Sequence, residues 1–226
     1  MSASIVQATL ISDSVANNPS AALSLSCSAG HAVILCIACV TKTRTISSIA
    51  DSAGNTGWVR ANANGGGGST AGFMDIWWNP SLTSSITSVT LTYSGTTKVQ
   101  IGVLEVTGLS GTVDVSPART DTTVAATTTA VAATTTNADD FLVAGYGGVG
   151  APSSVSSPFT LQASATGGSG VGITVGVATV EEVATGTYTA TFTTASQVGS
   201  ALMATFKVTA AGGSPLRELM LTGVGS

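Results

Sequence analysis

The residues of this chain that could do chemistry are few and lie far apart in the sequence. A nucleophilic triad needs a general base, and His31 is the only histidine among the 226 residues. It closes the segment Ser28-Ala-Gly-His31, which we predict to be a turn, and no Gly-x-Ser-x-Gly elbow accompanies it. We therefore interpret His31 as a turn or surface residue.

The carboxylates are equally scattered. Glycoside hydrolysis needs two carboxyl groups that face each other across a cleft, about 5–9 Å apart. The adjacent pairs Asp139-Asp140 and Glu181-Glu182 would point to opposite sides of a strand, and the remaining acids stand alone. These patterns predict no catalytic residues and a protein that is not an enzyme.

Metal ligands are also sparse. A zinc site at Cys36-x-x-Cys39 would need a second ligand pair, which the sequence lacks. The segment Asp51-Ser-Ala-Gly-Asn55 offers the oxygen ligands that Ca²⁺ prefers. We favour instead an Asp-initiated turn in which Gly54 and Asn55 adopt positive φ angles. We predict no metal ion and no cofactor.

The three cysteines indicate a reducing place of synthesis. Cys36 and Cys39 would lie on opposite faces of one strand, and Cys27 has no evident partner, so we expect buried, reduced thiols. The first residues lack the basic and apolar regions of a signal peptide. We expect synthesis in the cytosol, followed by incorporation into a larger assembly.

The composition favours a protein that works in contact with other subunits. Charged residues make up 8% of the chain, against about 25% in typical soluble proteins, and a surface with so few charges tends to associate. The net charge is −4 and the seven Lys and Arg residues are dispersed, so nucleic acid and anionic membranes are disfavoured as partners. The longest apolar run, Ala32 to Val40, is too short to cross a membrane as a helix and predicts a strand buried on both faces.

Turn signals recur about every eight to twelve residues between short β-branched runs, a spacing typical of sandwiches and barrels. We predict an all-β fold, an antiparallel β-sandwich of jelly-roll or Ig-like type, as a single large domain over residues 1–210. A weak internal echo, in which Thr90–Ser94 and Gly102–Gly111 resemble Thr189–Thr193 and Ala204–Gly213, leaves open the alternative of two related halves.

Two stretches are candidates for contact with a partner. Strand alternation over residues 73–79 places Trp77 on one face, flanked by Asp75 and Asn79, and we expect this tryptophan to face outward at a subunit interface or as a platform for a glycan. The C-terminal segment, residues 211–226, is either a last strand or helical turn of the sandwich, or an arm that docks on a neighbouring subunit. Its candidate contact residues are Leu216, Leu219, Met220 and Leu221.

Several turn and strand patterns carry a family resemblance. They are the Asp51-Ser-Ala-Gly-Asn-Thr-Gly-Trp58 turn, the strands around Ile76-Trp-Trp78 and Ile86–Ser94, and the later stretches Val103–Gly108, Asp140–Ala144 and Thr187–Phe192. In these the chain resembles a group of β-sandwich modules found in phage virion proteins and bacterial surface proteins, from which it departs by Gly57 before Trp58 and by the added C-terminal segment.

The resemblance implies a display role and offers no catalytic residues to transfer. We expect a non-enzymatic structural protein of a phage-type virion, such as a capsid decoration, cement or fibre-base protein, that forms homo-oligomers and contacts other virion subunits. The alternative is a carbohydrate- or receptor-binding module.

Overall fold

The computed structural model describes residues 2–20, 22–41, 43–62, 73–118, 120–130, 132–165 and 172–209. Within these ranges every regular element is a β-strand, and no helix is present that could cross a membrane. The all-β prediction is therefore confirmed. The C-terminal segment, with Leu216, Leu219, Met220 and Leu221, lies outside the described residues.

The strands fall into two groups along the chain. The first group is β1 Ser4–Asn17, β2 Leu23–Cys27, β3 Ala32–Cys39, β4 Ile46–Asp51, β5 Val59–Arg60, β6 Phe73–Asn79, β7 Ile86–Tyr93 and β8 Thr97–Thr107. The second group is β9 Leu109–Val113, β10 Thr120–Thr129, β11 Ala133–Thr134, β12 Asp140–Gly148, β13 Ser154–Val155, β14 Thr160–Ala165, β15 Thr174–Val183, β16 Thr187–Tyr188 and β17 Thr191–Val208. Gly108, with a φ of 82°, separates the two groups.

The first group forms two antiparallel sheets. Sheet I has the order β2-β7-β4, and sheet II has the order β1-β8-β3-β6-β5. The second group forms sheet III, in which the order β10-β17-β12-β15-β14 is extended by β9 and β13 on β17, and a short ladder of β11 with β16. Among the described residues, strands before Gly108 pair only with one another, and so do strands after it.

The strand pairing is nested in the same way in both groups. In the first group β1 pairs with β8, β2 with β7 and β3 with β6. In the second group β10 pairs with β17, β11 with β16 and β12 with β15. Each strand of the second set stands nine places after its counterpart in the first, and the orders of sheets II and III match strand for strand.

The sheets stack in layers with a core on each side of sheet II. Alternate residues of β3 point to opposite cores, so that Val33 and Leu35 pack against sheet I while Ile34 and Cys36 pack against sheet III. All eight residues of β3 are buried, as the apolar run predicted. A third core, which includes Tyr146 and Phe192, covers the other face of sheet III.

Sheets II and III approach each other closely at glycines. β3 packs on β12, β8 packs on β15 and β6 packs on β17. Gly102 of β8 and Gly145 of β12 lie where a β-carbon would collide with Val177 and Met74 of the opposite sheet. Two buried amides also join the sheets, since Gln100 accepts a hydrogen bond from the Val175 amide at 2.8 Å and Asn62 donates to the Met203 carbonyl at 3.0 Å.

Candidate functional site

The alternation predicted for β6 is present. Met74, Ile76 and Trp78 belong to the core between sheets II and III, and Trp77 belongs to the core between sheets I and II. The strand therefore divides its side chains between two faces as its sequence indicates.

The predicted exposure of this stretch is wrong. Trp77 is 8% exposed, Asn79 is 1% exposed and Asp75 is fully buried. The reason is that sheet I covers the face of sheet II that a two-layer fold would leave open to solvent. Trp77 therefore does not provide the outward-facing indole ring that a subunit interface or a glycan platform would need.

Asp75 and Trp77 instead form an internal polar cluster with Arg60 of the edge strand β5. Arg60 Nε lies 3.0 Å from Asp75 Oδ2, Trp77 Nε1 donates to the same oxygen at 2.8 Å, and the guanidinium carbon lies 5.3 Å from the Trp77 ring centroid. Burial raises the pKa of Asp75, and the Arg60 charge and the Trp77 hydrogen bond offset part of that, which leaves the pKa at about 6. The cluster positions a cation over an indole ring, an arrangement that stabilises the edge of sheet II.

Asn79 has a packing role at the end of β6. Its Oδ1 accepts a hydrogen bond from the Ser81 amide at 3.2 Å and lies 2.9 Å from the point where Gly57 would carry a β-carbon. A side chain at position 57 would displace Asn79. This contact explains why glycine precedes Trp58.

The Asp51–Trp58 turn is closed by one carboxylate. Asp51 Oδ1 accepts hydrogen bonds from the amides of Ala53 and Asn55 and from Asn55 Nδ2, at 2.9–3.1 Å, and Asp51 Oδ2 accepts one from Trp58 Nε1 at 2.7 Å. Burial alone would raise the pKa of Asp51, but these hydrogen bonds outweigh it and lower the pKa. Gly54 has a φ of 74° as predicted, whereas Asn55 does not adopt a positive φ.

Asn55 has a different role from the one expected of it. Its Oδ1 accepts hydrogen bonds from Thr83 N, Thr83 Oγ1 and Ser84 N at 2.7–3.0 Å, which fastens the turn to the β6–β7 connection. The donors of the chain itself thus occupy the oxygens that a calcium ion would need. The hydrogen bonds of Asp51 and Asn55 fit the interpretation of residues 51–55 as an Asp-initiated turn.

His31 lies in its predicted turn and pairs with a buried acid. Its Nδ1 is 2.7 Å from Glu105 Oε1, which also accepts a hydrogen bond from the Ser28 amide at 2.7 Å. Gln7 Nε2 donates to the other oxygen, Glu105 Oε2, at 2.6 Å. Burial opposes ionisation of Glu105, but these hydrogen bonds more than compensate and lower its pKa. These contacts fasten the turn between β2 and β3 to β8 and join β8 to β1.

Asp114 and Asp140 form an acidic pair where β9, β12 and β17 meet. Asp140, the first residue of β12, is fully buried, and its neighbour Asp139 is exposed with a φ of 66°. The two side chains diverge as the sequence predicts. The turn before Asp140 also contacts Asp114, an acid that had looked isolated in the sequence, because Thr136 N and Asn137 Nδ2 donate hydrogen bonds to the Asp114 carboxylate. The Asp140 and Asp114 carboxyl groups interact electrostatically across this contact. The signal that was missed is an acid placed directly before the buried run Phe141–Ala144.

The three cysteines are buried and form no disulfide, which confirms that expectation. Burial raises the pKa of the Cys27 and Cys36 thiols to about 12, so these sulfurs are neutral and unreactive at physiological pH. Across the described ranges no three His, Cys, Asp or Glu side chains come close enough together to hold a metal ion.

Comparison with known proteins gives no relative: no family model, no curated protein and no solved structure matches the chain. The candidate functional features are therefore those of the chain's own geometry, namely its layered sheets, the polar clusters around Asp75 and Glu105, and the acidic pair Asp114 and Asp140.

Proposed function

We propose that this chain is a non-enzymatic structural protein of a phage-type virion, a capsid decoration, cement or fibre-base protein that acts through contacts repeated over many copies. The observation that carries the proposal is the nested strand pairing, β1 with β8, β2 with β7 and β3 with β6, which recurs in the second half of the chain. Such nesting is what an eight-stranded hairpin produces when it is wrapped into a jelly roll, the fold of many viral capsid domains.

The nesting favours the jelly roll over the Ig-like alternative. An Ig-like sandwich groups its strands as ABED and CFG, so its first strand pairs with its second. Here the first strand pairs with the eighth, and the second lies in a different sheet. We therefore interpret residues 4–107 as one jelly-roll unit in which β5 pairs with β6 instead of β4.

The same nesting in residues 109–208 favours two related halves over the single sandwich expected from the sequence. The contacts between the halves are reciprocal. β8 packs on β15 and β6 packs on β17, and β15 and β17 are the counterparts of β6 and β8. Exchanging the halves exchanges these two contacts, which is the property of an isologous two-fold interface. The internal echo in the sequence begins on β7 and β8 in the first half, at Thr90 and Gly102. In the second half it begins directly after β16 and within β17, at Thr189 and Ala204, and β16 and β17 are the counterparts of β7 and β8.

The surface of β1 supports a role in assembly. β1 is the fourteen-residue edge strand of sheet II, and it carries Val6 and Val15, which are 51% and 57% exposed. Register shifts in the β1–β8 ladder fall at both valines, and bulges of this kind re-aim side chains. The one charged residue of β1, Asp13, is 6% exposed, so no exposed charge on the strand opposes contact with another subunit.

The glycan-binding alternative depended on an exposed Trp77 ring, which the fold buries. Apart from the half-buried Tyr188, every aromatic side chain that the structure describes is buried. A sugar would find no indole or phenyl face to stack on in this part of the chain. We therefore propose the assembly role alone.

The test begins with the native mass of the purified chain, measured by light scattering over a wide range of concentrations. We expect a symmetric oligomer that Val15→Lys weakens. Val149→Lys, which changes an exposed valine in the connection after β12, is the matched control and should leave the mass unchanged. A monomer at every concentration would contradict self-association as the reason for the uncharged surface.

The virion itself is tested separately by mass spectrometry of particles purified from the source. Many copies of the chain per particle would support the proposal. Absence of the chain from purified particles that contain their other structural proteins would overturn it.

A further inference from the structure

The Asp140 carboxyl group lacks the partners that a buried charge needs. The side chain is fully buried, and neither oxygen accepts a hydrogen bond from any donor among the described residues. A buried carboxylate without hydrogen-bond donors is strongly disfavoured, whereas a neutral carboxylic acid needs only one acceptor for its proton.

Asp114, by contrast, is well supplied with donors. Its Oδ1 accepts hydrogen bonds from Thr136 Oγ1 and Asn137 Nδ2 and lies 3.6 Å from Lys207 Nζ, while Oδ2 accepts one from the Thr136 amide at 2.7 Å. Burial opposes its ionisation, but the donors outweigh burial and lower the pKa of Asp114. Asp114 is thus the ionised member of the pair, and Oδ2 has a lone pair to spare.

We infer that Asp114 and Asp140 share one proton and form a latch that closes at acidic pH and opens as the proton leaves. Asp140 is the protonated member and donates to the Asp114 carboxylate. The latch joins three places in the fold: the connection after β9, the first residue of β12 and the end of β17. This inference is independent of the proposed virion role.

The groups that face Asp140 support a proton over a metal cation. They are Asp114 after β9, Lys207 on β17 and Asp139 in the same turn. Lys207 already supplies a positive charge to Asp114, and the two carboxyl groups offer fewer oxygens than the six to eight that Ca²⁺ takes. Because Asp140 is fully buried, its carboxyl group takes up a proton more readily than the larger metal cation.

The strands at the latch are held together by main-chain hydrogen bonds that its opening would loosen. The Asp114 amide donates to the Thr205 carbonyl and the Thr205 amide to the Val115 carbonyl, both at 2.8 Å. The Val115 amide donates to Thr205 Oγ1 at 2.9 Å. When Asp140 ionises, two adjacent carboxylates repel each other beside these bonds.

The direction of the pH dependence follows from Asp140. Burial, the hydrogen bond to Asp114 and the Asp114 charge raise the pKa of Asp140 from 3.8 to about 7. A raised folded-state pKa gives stability that is complete below the unfolded value and is lost as the pH rises to the folded value. The latch should therefore weaken between about pH 4 and pH 7.

The experiment compares urea unfolding of the wild type and Asp140→Asn from pH 4.5 to pH 8.5, in EDTA. Asparagine has the shape of the acid and donates to Asp114 at every pH. We expect the wild type to lose stability relative to D140N as the pH rises to 7, with a slope of about one proton. Asp139→Asn, which removes an exposed charge one residue away at a φ that asparagine tolerates, should retain the wild-type slope.

Hydrogen exchange locates the effect. At pH 8 the amides of Asp114, Val115 and Thr205 should exchange faster in the wild type than in D140N. Equal slopes and equal exchange in the two proteins would overturn the latch. Stabilisation of the wild type by Ca²⁺ at pH 8, lost in D140N, would also overturn it, because the pair would then hold a cation.

Discussion

Gly102 of β8 faces Val177 of β15 across the boundary between sheets II and III, and a β-carbon on Gly102 would come within 2.0 Å of Val177 Cγ2. The two halves of the chain therefore meet at a glycine whose missing side chain sets the distance between their sheets. The φ of Gly102 is an ordinary one for any residue, so the requirement is for space alone.

Gly102→Ala should lower the free energy of unfolding by about 1–3 kcal/mol, because the added methyl group overpacks a rigid interface. The measurement is urea unfolding of G102A, V177A and the double variant. Val177→Ala removes the colliding methyl groups, so the double variant should be more stable than the sum of the two single losses predicts. Strict additivity would show that the two positions do not touch.

Arg60→Met should cost about 3–5 kcal/mol at pH 8, because it leaves the buried Asp75 charge without its counter-charge. The loss should be smaller at pH 5. Without Arg60 the pKa of Asp75 rises further above 6, so the side chain becomes neutral as the pH falls. Thermal unfolding at both pH values checks this.

Arg44→Met is the control for the change of charge and shape, since Arg44 donates to the Thr96 carbonyl and not to an acid. An equal loss at pH 5 and pH 8 for R60M would contradict the role assigned to the Arg60–Asp75 pair.

Glu105→Gln should cost about 1.5–3 kcal/mol at pH 7, because the carboxylate accepts hydrogen bonds from the Ser28 amide, His31 and Gln7. The folded-state pKa of Glu105 is lowered from 4.5, so its stabilising effect is present above that value and is lost as the pH falls through the folded value. The difference between wild type and E105Q should therefore shrink at pH 3. Glu181→Gln, at an exposed position of β15, should change stability little at either pH.

Asp51→Ala should cost about 2–4 kcal/mol, since it leaves the Trp58 indole N–H and two turn amides without their acceptor. Thermal unfolding followed by tryptophan fluorescence measures the loss, and Thr56→Ala, an exposed change in the same turn, is the control. Addition of EDTA or Ca²⁺ should leave the wild type unchanged. A calcium-dependent melting temperature that D51A abolishes would show that the turn binds an ion.

The sequence predicted the local features of the fold well. The uninterrupted apolar run of β3 indicated burial on both faces, and the alternation of β6 assigned Trp77 and Trp78 to opposite sides. These predictions succeed because the side-chain period of a strand is a property of the strand itself.

The environment of each face was harder to predict. Trp77, Asp75 and Asn79 are buried because sheet I lies over them, and nothing within residues 73–79 signals that cover. The partners of the buried acids come from distant strands: Arg60 from β5 for Asp75, and Asp114 from the β9–β10 connection for Asp140. Such pairs depend on topology, which a single strand's pattern does not encode.

In the part of the chain that the structure describes, no strand pairs across Gly108, and this has a consequence for synthesis. Every pairing described for sheets I and II lies within residues 4–107, so we expect this half to fold while the ribosome is still translating the rest. Its apolar face toward sheet III includes Ile34, Ile76 and Leu104. This face then stays exposed to solvent for roughly 5–20 seconds, the time in which the ribosome adds about a hundred further residues. During that interval, neighbouring nascent chains on the same messenger RNA expose this apolar face to one another, so that the first half of one chain can bind the first half of the next.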